Sequence, residues 1–502
     1  MLYSLESEKD SFARYSVLTP TTLLNIAERL DTLPDVVAIG GWQEQGANVR
    51  GEIGAGYRGF DRYFLSSQKF FGKEIDFFSS SHERSHIFGA IGMAPSESHV
   101  IEVVLVWEGT TGAFFMVNKE NQVVKRVDVM DQPGAKYAAL FAILDPGFAP
   151  EGGYPRDSDA GKLMALAAYA DPRDSDADIR AAVERVLAIT DAYPIPKNDF
   201  SDTVLFNAGE SSEIGVMAAA VISERLFEEF SEVARQSIPR GLPLRISGGC
   251  GLNCSWNQKW RTIGHFSEVF VPPCPNDSGS AIGTAVDAQA VLTGQSHIEW
   301  DVYSGLNFVN DVSPSSHRWH RRSLDHHALA DTLASGRVVA WVQGRWEIGP
   351  RALGNRSLLA DAQSSQSKER LNKIKQREHY RPIAPAARIE DLAVAFDSDF
   401  EDPHMLYFRR VRDARLKAVT HVDGSARVQT VSQRSNATLH QFLSAVADRQ
   451  DLGVVCNTSL NFSGHGFINR MSDLIAYCES RNVTEMVVGL DWYQDSYKSR
   501  SI

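Results

Sequence analysis

Short apolar runs alternate along the chain with segments whose apolar positions recur at helical spacing. Residues 35–40 (DVVAIG) and 103–107 (VVLVW) are continuous β-branched and aliphatic runs suited to buried strands. Residues 244–247 (LRIS) predict a further strand that runs directly into Gly248 and Gly249. Between them, 160–170 is rich in good helix formers. Residues 213–234 carry apolar positions at helical spacing, with charges gathered in the second half. Such alternation predicts an α/β fold. The texture changes at 303–315 (YSGLNFVNDVSPS), which reads as a linker. Beyond it the pattern restarts with a helix over 326–333 and a strand over 337–343 (RVVAWVQ). A strand over 451–456 (DLGVVC) then leads into Asn457, Thr458 and Ser459. The pattern predicts a domain boundary near residue 310.

Length and charge narrow the classes. A chain of 502 residues implies two to four domains at about 150 residues each. The balance of 51 basic against 63 acidic side chains, net −12, argues against a nucleic-acid binder. Five cysteines are an odd number and no disulfide framework, which fits a reducing cytoplasm; Cys250, Cys254 and Cys274 read as packed thiols. Residues 1–10 lack an apolar core, so no secretory signal is expected. No apolar run reaches the ~18 residues of a spanning helix, so no membrane partner is expected. The oligomeric state stays open.

Four clusters carry candidate chemistry. His82 and His86 are spaced i, i+4, which on a helix lets both imidazoles reach one metal ion; the same spacing suits two ordinary packed histidines. The letters also spell H-E-x-x-H, in which Glu83 would be the general base of a zinc peptidase, but the flanking residues are too polar for that helix. Glu108 ends the strand VVLVW, and Asp277 sits in a turn before a helical stretch. Each is a candidate third or fourth ligand, or simply a solvated strand end and an Asx turn. The turn at 248–253 (GGCGLN) joins a strand to a helix and could cradle phosphate with backbone N–H groups, or serve only as a tight connection. Arg345, Arg351 and Arg356 lie in 343–357 (QGRWEIGPRALGNRS). Lys373, Lys375, Arg377 and Arg381 follow, a cationic concentration that suits polyphosphate or, alternatively, solvent.

Together these motifs resemble the O-carbamoyltransferases of natural-product pathways, which include the nodulation-factor, tobramycin, ansamycin and cephem enzymes. The matching segments are H-x-x-x-H at 82–86, GKLMALAAYA at 161–170, SGGCGLN at 247–253 and PNDSGSAIGTA at 275–285. They continue with 343–357, KQREHYRPIAP at 375–385, ARVQTV at 426–431 and CNTSLN at 456–461. The opening LYSLESEKDSFARYS, the short length and VWEG point, within the family, to members that act on a cephem.

The resemblance implies an actin/Hsp70-like ATPase-fold domain over 1–309 and a YrdC-like α/β domain over 310–502. In the second domain ATP with Mg²⁺ and carbamoyl phosphate would form carbamoyl adenylate, with Lys375, Arg381, Arg351 and Ser459 as the working residues. Arg345, Arg427 and Asn457 would help bind the nucleotide or donor. In the first domain His82, His86, Glu108 and Asp277 would hold Fe(II) or another divalent metal. Gly248, Gly249, Gly251 and Asn253 would cradle the adenylate while an acceptor hydroxyl takes the carbamoyl group. The acceptor is expected to be a 3-hydroxymethyl cephem, with an aminoglycoside or macrocycle as alternatives. A nucleotide-binding protein without turnover is the non-enzymatic reading. Two departures from the family pattern stand out. A G-x-H-D-x-x-A loop normally precedes the strand that Met1-Leu2-Tyr3 matches, which suggests a late start or lost activity. Glu108 stands where many relatives carry Asp.

Overall fold

The computed structural model describes residues 1–14, 16, 19–41, 54–95, 100–149 and 153–496. Tyr15 of the opening motif lies outside them. The chain forms two compact units: Arg29–Glu299, and Trp300–Ile502 together with Met1–Glu28. The division thus falls at Glu299 rather than near 310, and the first 28 residues group with the C-terminal unit. The polar stretch after residue 303 looked like a linker because its hydrogen bonds are to loops distant in sequence. Tyr303 donates its hydroxyl to Leu353 O (2.7 Å), and the Val309 N–H bonds Asn469 O (2.9 Å). The N-terminal segment is anchored similarly. Lys9 Nζ donates to Glu347 O and Gly349 O, the Gly349 N–H donates to Glu6 Oε1, and Arg470 pairs with Asp10.

Among the described residues, unit Arg29–Glu299 holds eight strands. They are β1 (Val36–Gly40), β2 (Tyr63–Phe70), β3 (Lys73–Ser80), β4 (Ile101–Trp107), β5 (Thr111–Asn118), β6 (Val123–Asp131), β7 (Leu244–Ser247) and β8 (Val269–Phe270). The first three make a small sheet in the order β1-β3-β2, with β1 parallel to β3. The others make a sheet in the order β6-β5-β4-β7-β8. Strands β4, β5 and β6 are antiparallel, while β7 and β8 run parallel to β4. Of the runs read as strands, β4 and β7 are central and covered, as continuous apolar runs should be, whereas β1 is an edge strand of the small sheet and is partly exposed. Trp107 at the end of β4 stacks on Trp256 (4.4 Å between centroids) and Phe230 (4.5 Å), which fixes where β4 stops.

The two helices that matter most here are His82–Met93 and Ser280–Thr293. Ser81 caps the first, its hydroxyl accepting the Arg84 N–H (3.2 Å). Every residue of that helix is buried, polar ones included. It shows no amphipathic stripe, so its polar groups need partners inside the protein. Arg84 finds one in Asp287 of the second helix: Nε donates to Oδ2 (2.8 Å) and Nη2 pairs with Oδ1. Ser80 Oγ bonds the same carboxylate. The backbones approach closely because Gly89 meets Gly283; a Cβ on Gly283 would lie 1.7 Å from Ser85 O.

Among the described residues, the second unit is built on ten strands. They are β9 (Trp319–Ser323), β10 (Val339–Val342), β11 (Arg356–Asp361), β12 (Ala384–Arg388), β13 (Phe408–Arg410), β14 (Ser425–Arg427), β15 (Gln429–Val431), β16 (Val454–Ser459), β17 (Glu485–Val488) and β18 (Asp491–Asp495). Eight form one mixed sheet, ordered β15-β12-β16-β11-β10-β17-β18-β9, and β13 pairs with β14. Alternate residues of β10 serve opposite cores. Val339 and Trp341 pack with Phe442, while Ala340 and Val342 pack with Leu474. Among the described residues no helix is long and apolar enough to cross a membrane.

Two substitutions test the helix contact. Asp287→Ala strands a buried guanidinium and is expected to lower unfolding stability by about 3–5 kcal/mol in urea denaturation. Gly283→Ala is expected to destabilise by about 1–3 kcal/mol in the same assay, since the new methyl meets a backbone oxygen that cannot move alone.

Candidate functional site

The helix His82–Met93 places His82 in its first turn and His86 one turn later, so their Nε2 atoms converge at 3.1 Å. Glu108, one residue beyond β4, brings Oε2 to 3.3 Å from His82 Nε2 and 3.4 Å from His86 Nε2. Asp277 precedes the helix Ser280–Thr293 and brings Oδ1 to 3.5 and 3.3 Å from the same two nitrogens. The four ligand atoms lie within 4.8 Å of one another. His82, His86 and Glu108 are buried, whereas the Asp277 side chain is 57% exposed, so the cluster opens to solvent on that side. Residues far apart in sequence thus meet as the spacing argument expected.

The surroundings orient the donors. Ser247 Oγ donates to Pro275 O (3.3 Å) and so accepts from the His86 Nδ1–H (3.0 Å), which turns Nε2 toward the cluster. Tyr57 donates its hydroxyl to both Glu108 oxygens (3.1 Å each) and stacks its ring on His82 (4.4 Å). Thr110 Oγ1 adds a bond to Glu108 Oε1 (3.1 Å). Sequence reasoning missed all three supports, because a lone Tyr, Ser or Thr carries no spacing signal.

Electrostatics favour a cation here. Burial alone would lower the His86 pKa, but hydrogen bonds and charge from Asp277 and Glu108 outweigh it and raise it to about 10. The two imidazoles in turn overcome the burial of Glu108 and hold it at about 2, and they lower Asp277 strongly. Two carboxylates and two imidazoles in this arrangement are a donor set that fits a divalent ion such as Zn, Mn or Fe(II).

Glu83 does not fit the peptidase reading. Its Oε2 accepts the Gly59 N–H (3.0 Å) and its Oε1 lies 3.2 Å from Arg126 Nη1. The carboxylate is committed to backbone and an arginine and is not part of the four-donor cluster.

In the glycine turn, Gly248 has a left-handed φ of 93°, and a Cβ there would lie 2.3 Å from Trp107 O. It is a glycine so that β7 can turn against the end of β4. A Cβ on Gly251 would lie 3.1 Å from Pro275 Cβ, so that glycine gives the proline room. A Cβ on Gly249 would meet nothing within 4 Å, so packing does not require that glycine. Asn253 caps the helix Cys254–Thr262, accepting the Ser255 and Trp256 N–H groups (3.1 and 3.3 Å). Its side-chain oxygen thus holds the helix start.

The second unit gathers the other candidates. Lys375 Nζ, buried, donates to Ser459 O (2.6 Å), Ser459 Oγ (3.2 Å) and Asn461 O (3.2 Å), with no carboxylate beside it. Burial, and then the charges of Arg377, Arg14, Arg381 and Arg481, push its pKa well below the usual lysine range. Arg377 falls to about 9 through burial and the charges of Arg381 and Arg427. Among the described residues the one carboxylate within ion-pair reach of this group is Glu378, 3.7 Å from Arg381. Crowded cations of this kind form a site for an anion. Arg377 was seen only as part of a run, and Arg14 and Arg481 were not singled out at all.

Other arginines hold the loop together. Glu347 Oε1 accepts the N–H groups of Leu353, Asn355 and Arg356. Arg356 donates to Asn355 O, Gly344 O and Asn469 Oδ1. Arg345 donates to Leu2 O, Ser304 O and Gly305 O, through Nε and Nη2, and so ties this loop to backbone. Asn457 donates to Ala352 O and Gln429 Oε1, while its Oδ1 is buried without a partner. Arg351 and Arg427 are half-buried, and Arg427 lies close enough to lower Arg377 and Arg381.

The metal reading makes a two-part prediction. His86→Ala is expected to abolish stoichiometric binding of a divalent metal, and Ser247→Ala to weaken it about 10–100-fold in chelator competition. Because His86 is protonated at neutral pH without a cation, loading must release protons, and affinity must rise with pH. Calorimetry in buffers of different ionisation enthalpy reads that release.

Comparisons with known proteins give the site its setting. Residues 55–286 match the carbamoyltransferase N-terminus and residues 330–494 the carbamoyltransferase C-terminus. The 3'-hydroxymethylcephem-O-carbamoyltransferase of Streptomyces clavuligerus is 60% identical over 497 residues, 98% of this chain and 95% of that one. The enzyme of the same name from Amycolatopsis lactamdurans is 58% identical over 495 residues, with the same coverage. Among solved structures, the activator of 2-hydroxyisocaproyl-CoA dehydratase from Clostridium difficile aligns with a TM-score of 0.28 at 13% identity, over 44% of this chain and 72% of that one, which is too loose to bear on the argument. With both halves matched in order and relatives aligned over nearly the whole length, the chain is an enzyme of the carbamoyltransferase family.

Proposed function

We propose that the chain moves a carbamoyl group from carbamoyl phosphate to the hydroxyl of a 3-hydroxymethyl cephem. The observation that carries this reading is the 60% identity, over 98% of the chain, to an enzyme named for that acceptor. The reaction has two halves, one for each unit. In the C-terminal unit water takes the phosphoryl group of carbamoyl phosphate, releasing phosphate and carbamate; the carbamate oxygen then attacks the α-phosphorus of ATP with Mg²⁺, so that carbamoyl adenylate forms and pyrophosphate leaves. In the N-terminal unit the acceptor oxygen takes the carbamoyl group and AMP leaves.

The residues support this division. Lys375 and Arg381 grip phosphate oxygens, with Arg351 and Arg427 assisting, where few carboxylates oppose the cations. Ser459 orients the Lys375 ammonium, and the unpartnered Oδ1 of Asn457 is an acceptor for the nucleotide or the donor amide. Arg345 acts on the ligands only through the loop that it holds. The backbone of 248–251 lies along the adenylate, with Gly249 giving close access, and Asn253 keeps the following helix in place. His82, His86, Glu108 and Asp277 would hold a divalent ion, Fe(II) among the candidates, whose Lewis acidity would act on the carbamoyl oxygen or the adenylate phosphate. The sheet of three antiparallel strands followed by two parallel ones supports an actin/Hsp70-like fold for the N-terminal unit. The C-terminal unit is read as YrdC-like.

Incubation with ATP, Mg²⁺, carbamoyl phosphate and a 3-hydroxymethyl cephem is expected to yield the cephem carbamate by mass spectrometry. Arg381→Ala is expected to abolish pyrophosphate release. His82→Ala is expected to keep that release and lose the carbamate. Loss of both half-reactions in a folded His82→Ala would contradict the division of labour.

A further inference from the structure

The cluster of donors explains where a carbamoyl group could be activated but not what holds the acceptor. A cavity of about 730 Å³ lies beside it in the N-terminal unit. That is within the ~300–1,000 Å³ of small-molecule sites. Tyr57, Phe60 and Thr110 are part of its wall, and two of these donate directly to Glu108. Its charged lining is three arginines, Arg58, Arg62 and Arg126, against one carboxylate, Asp61. The cavity is therefore one side chain away from Glu108, through Tyr57 and Thr110, and arginines predominate in its charged lining.

We propose that this cavity is the acceptor subsite, and that Arg58 holds the ring carboxylate beside the reacting hydroxymethyl group. The inference rests on the acceptor reading above. A 3-hydroxymethyl cephem carries its carboxylate on the ring carbon next to the one that bears the hydroxymethyl group. An acceptor of this kind needs a cation close to the catalytic centre, and Arg58 is placed for it. Its Nη2 lies 3.4 Å from Thr110 O, and Thr110 Oγ1 bonds Glu108 Oε1 at 3.1 Å.

The present partner of Arg58 is replaceable. It pairs with Asp131 at 3.0 Å, but the two side chains are 51% and 73% exposed, and such pairs contribute little. A substrate carboxylate can take the place of Asp131 on the same guanidinium, with both of its oxygens matched to the fork. Arg126 is less suited, because it already faces Glu83 at 3.2 Å and Asp128 at 2.8 Å. Tyr57 and Phe60 offer apolar surface for the fused ring.

The test compares two acceptors, the free acid of a 3-hydroxymethyl cephem and its methyl ester at the ring carboxylate. Each is assayed with ATP, Mg²⁺ and carbamoyl phosphate, and the carbamate is followed by mass spectrometry. The unaltered chain is expected to prefer the acid roughly 10–100-fold in kcat/KM, as one charge-assisted contact allows. In Arg58→Met that preference is expected to fall to near one, mainly through KM for the acid, and Arg58→Lys is expected to retain part of it. A merely structural role for Arg58 would weaken both acceptors alike and leave the ratio unchanged. An unchanged ratio in folded Arg58→Met overturns the subsite and leaves the acceptor reading standing. No carbamate from the unaltered chain with either acceptor overturns the acceptor reading and the subsite with it.

Discussion

The candidate metal cluster depends on how closely two helices approach. Gly283 lets its helix lie against the carbonyl of Ser85, where any side chain would collide with backbone. That contact brings the N-terminal ends of both helices together, with His82 and His86 on one and Asp277 just before the other. The Arg84–Asp287 pair fixes the rotation and register of the approach, since a bidentate arginine fork tolerates little sliding. The end of β4, set by Trp107 in its aromatic stack, then presents Glu108 from a third direction. Four donors from three elements converge because packing leaves each element one position.

The two units solve opposite electrostatic problems. In the N-terminal unit two carboxylates and two imidazoles face each other, so the cluster is balanced by protons or by a cation. In the C-terminal unit arginines and a lysine crowd with little negative charge among them. Holding like charges together costs folding stability, and an anion that enters relieves it. Lys375 shows the balance: with four oxygens of Ser459 and Asn461 within hydrogen-bond reach and no carboxylate, it stays in place through hydrogen bonds to neutral groups. Sites under this kind of tension are preorganised for charge that arrives with a ligand.

Much of this was legible in the sequence, and the remainder was hidden for physical reasons. The apolar runs marked β4, β7 and β10 because buried central strands need continuous apolar residues; the run at β1 marked a strand too, though an edge one. The i, i+4 histidines, the carboxylate at a strand end and the turn aspartate are local patterns, and all four meet. Pairings between distant residues were not legible. Nothing in the letters couples Arg84 to Asp287, or Ser247 to His86. Arg345 and Asn253 sat in ligand-like motifs, yet their polar atoms serve backbone groups, because a glycine-rich loop must satisfy its own carbonyls and N–H groups first. The grouping of residues 1–28 with the C-terminal unit depends on contacts such as Lys9 with Glu347, which no local pattern reveals. The boundary near 310 failed for the same reason: Asn, Ser and Gly suit both a linker and a strap laid along a folded surface.

The central claim is that these packed elements build one metal site from His82, His86, Glu108 and Asp277. Anomalous diffraction from crystals of the metal-loaded chain tests it most directly. The account predicts a single strong peak about 2.0–2.2 Å from His82 Nε2, His86 Nε2 and the carboxylate oxygens of Glu108 and Asp277. A peak that engages Glu83 instead, or a fully loaded protein with no peak among these four side chains, would contradict it.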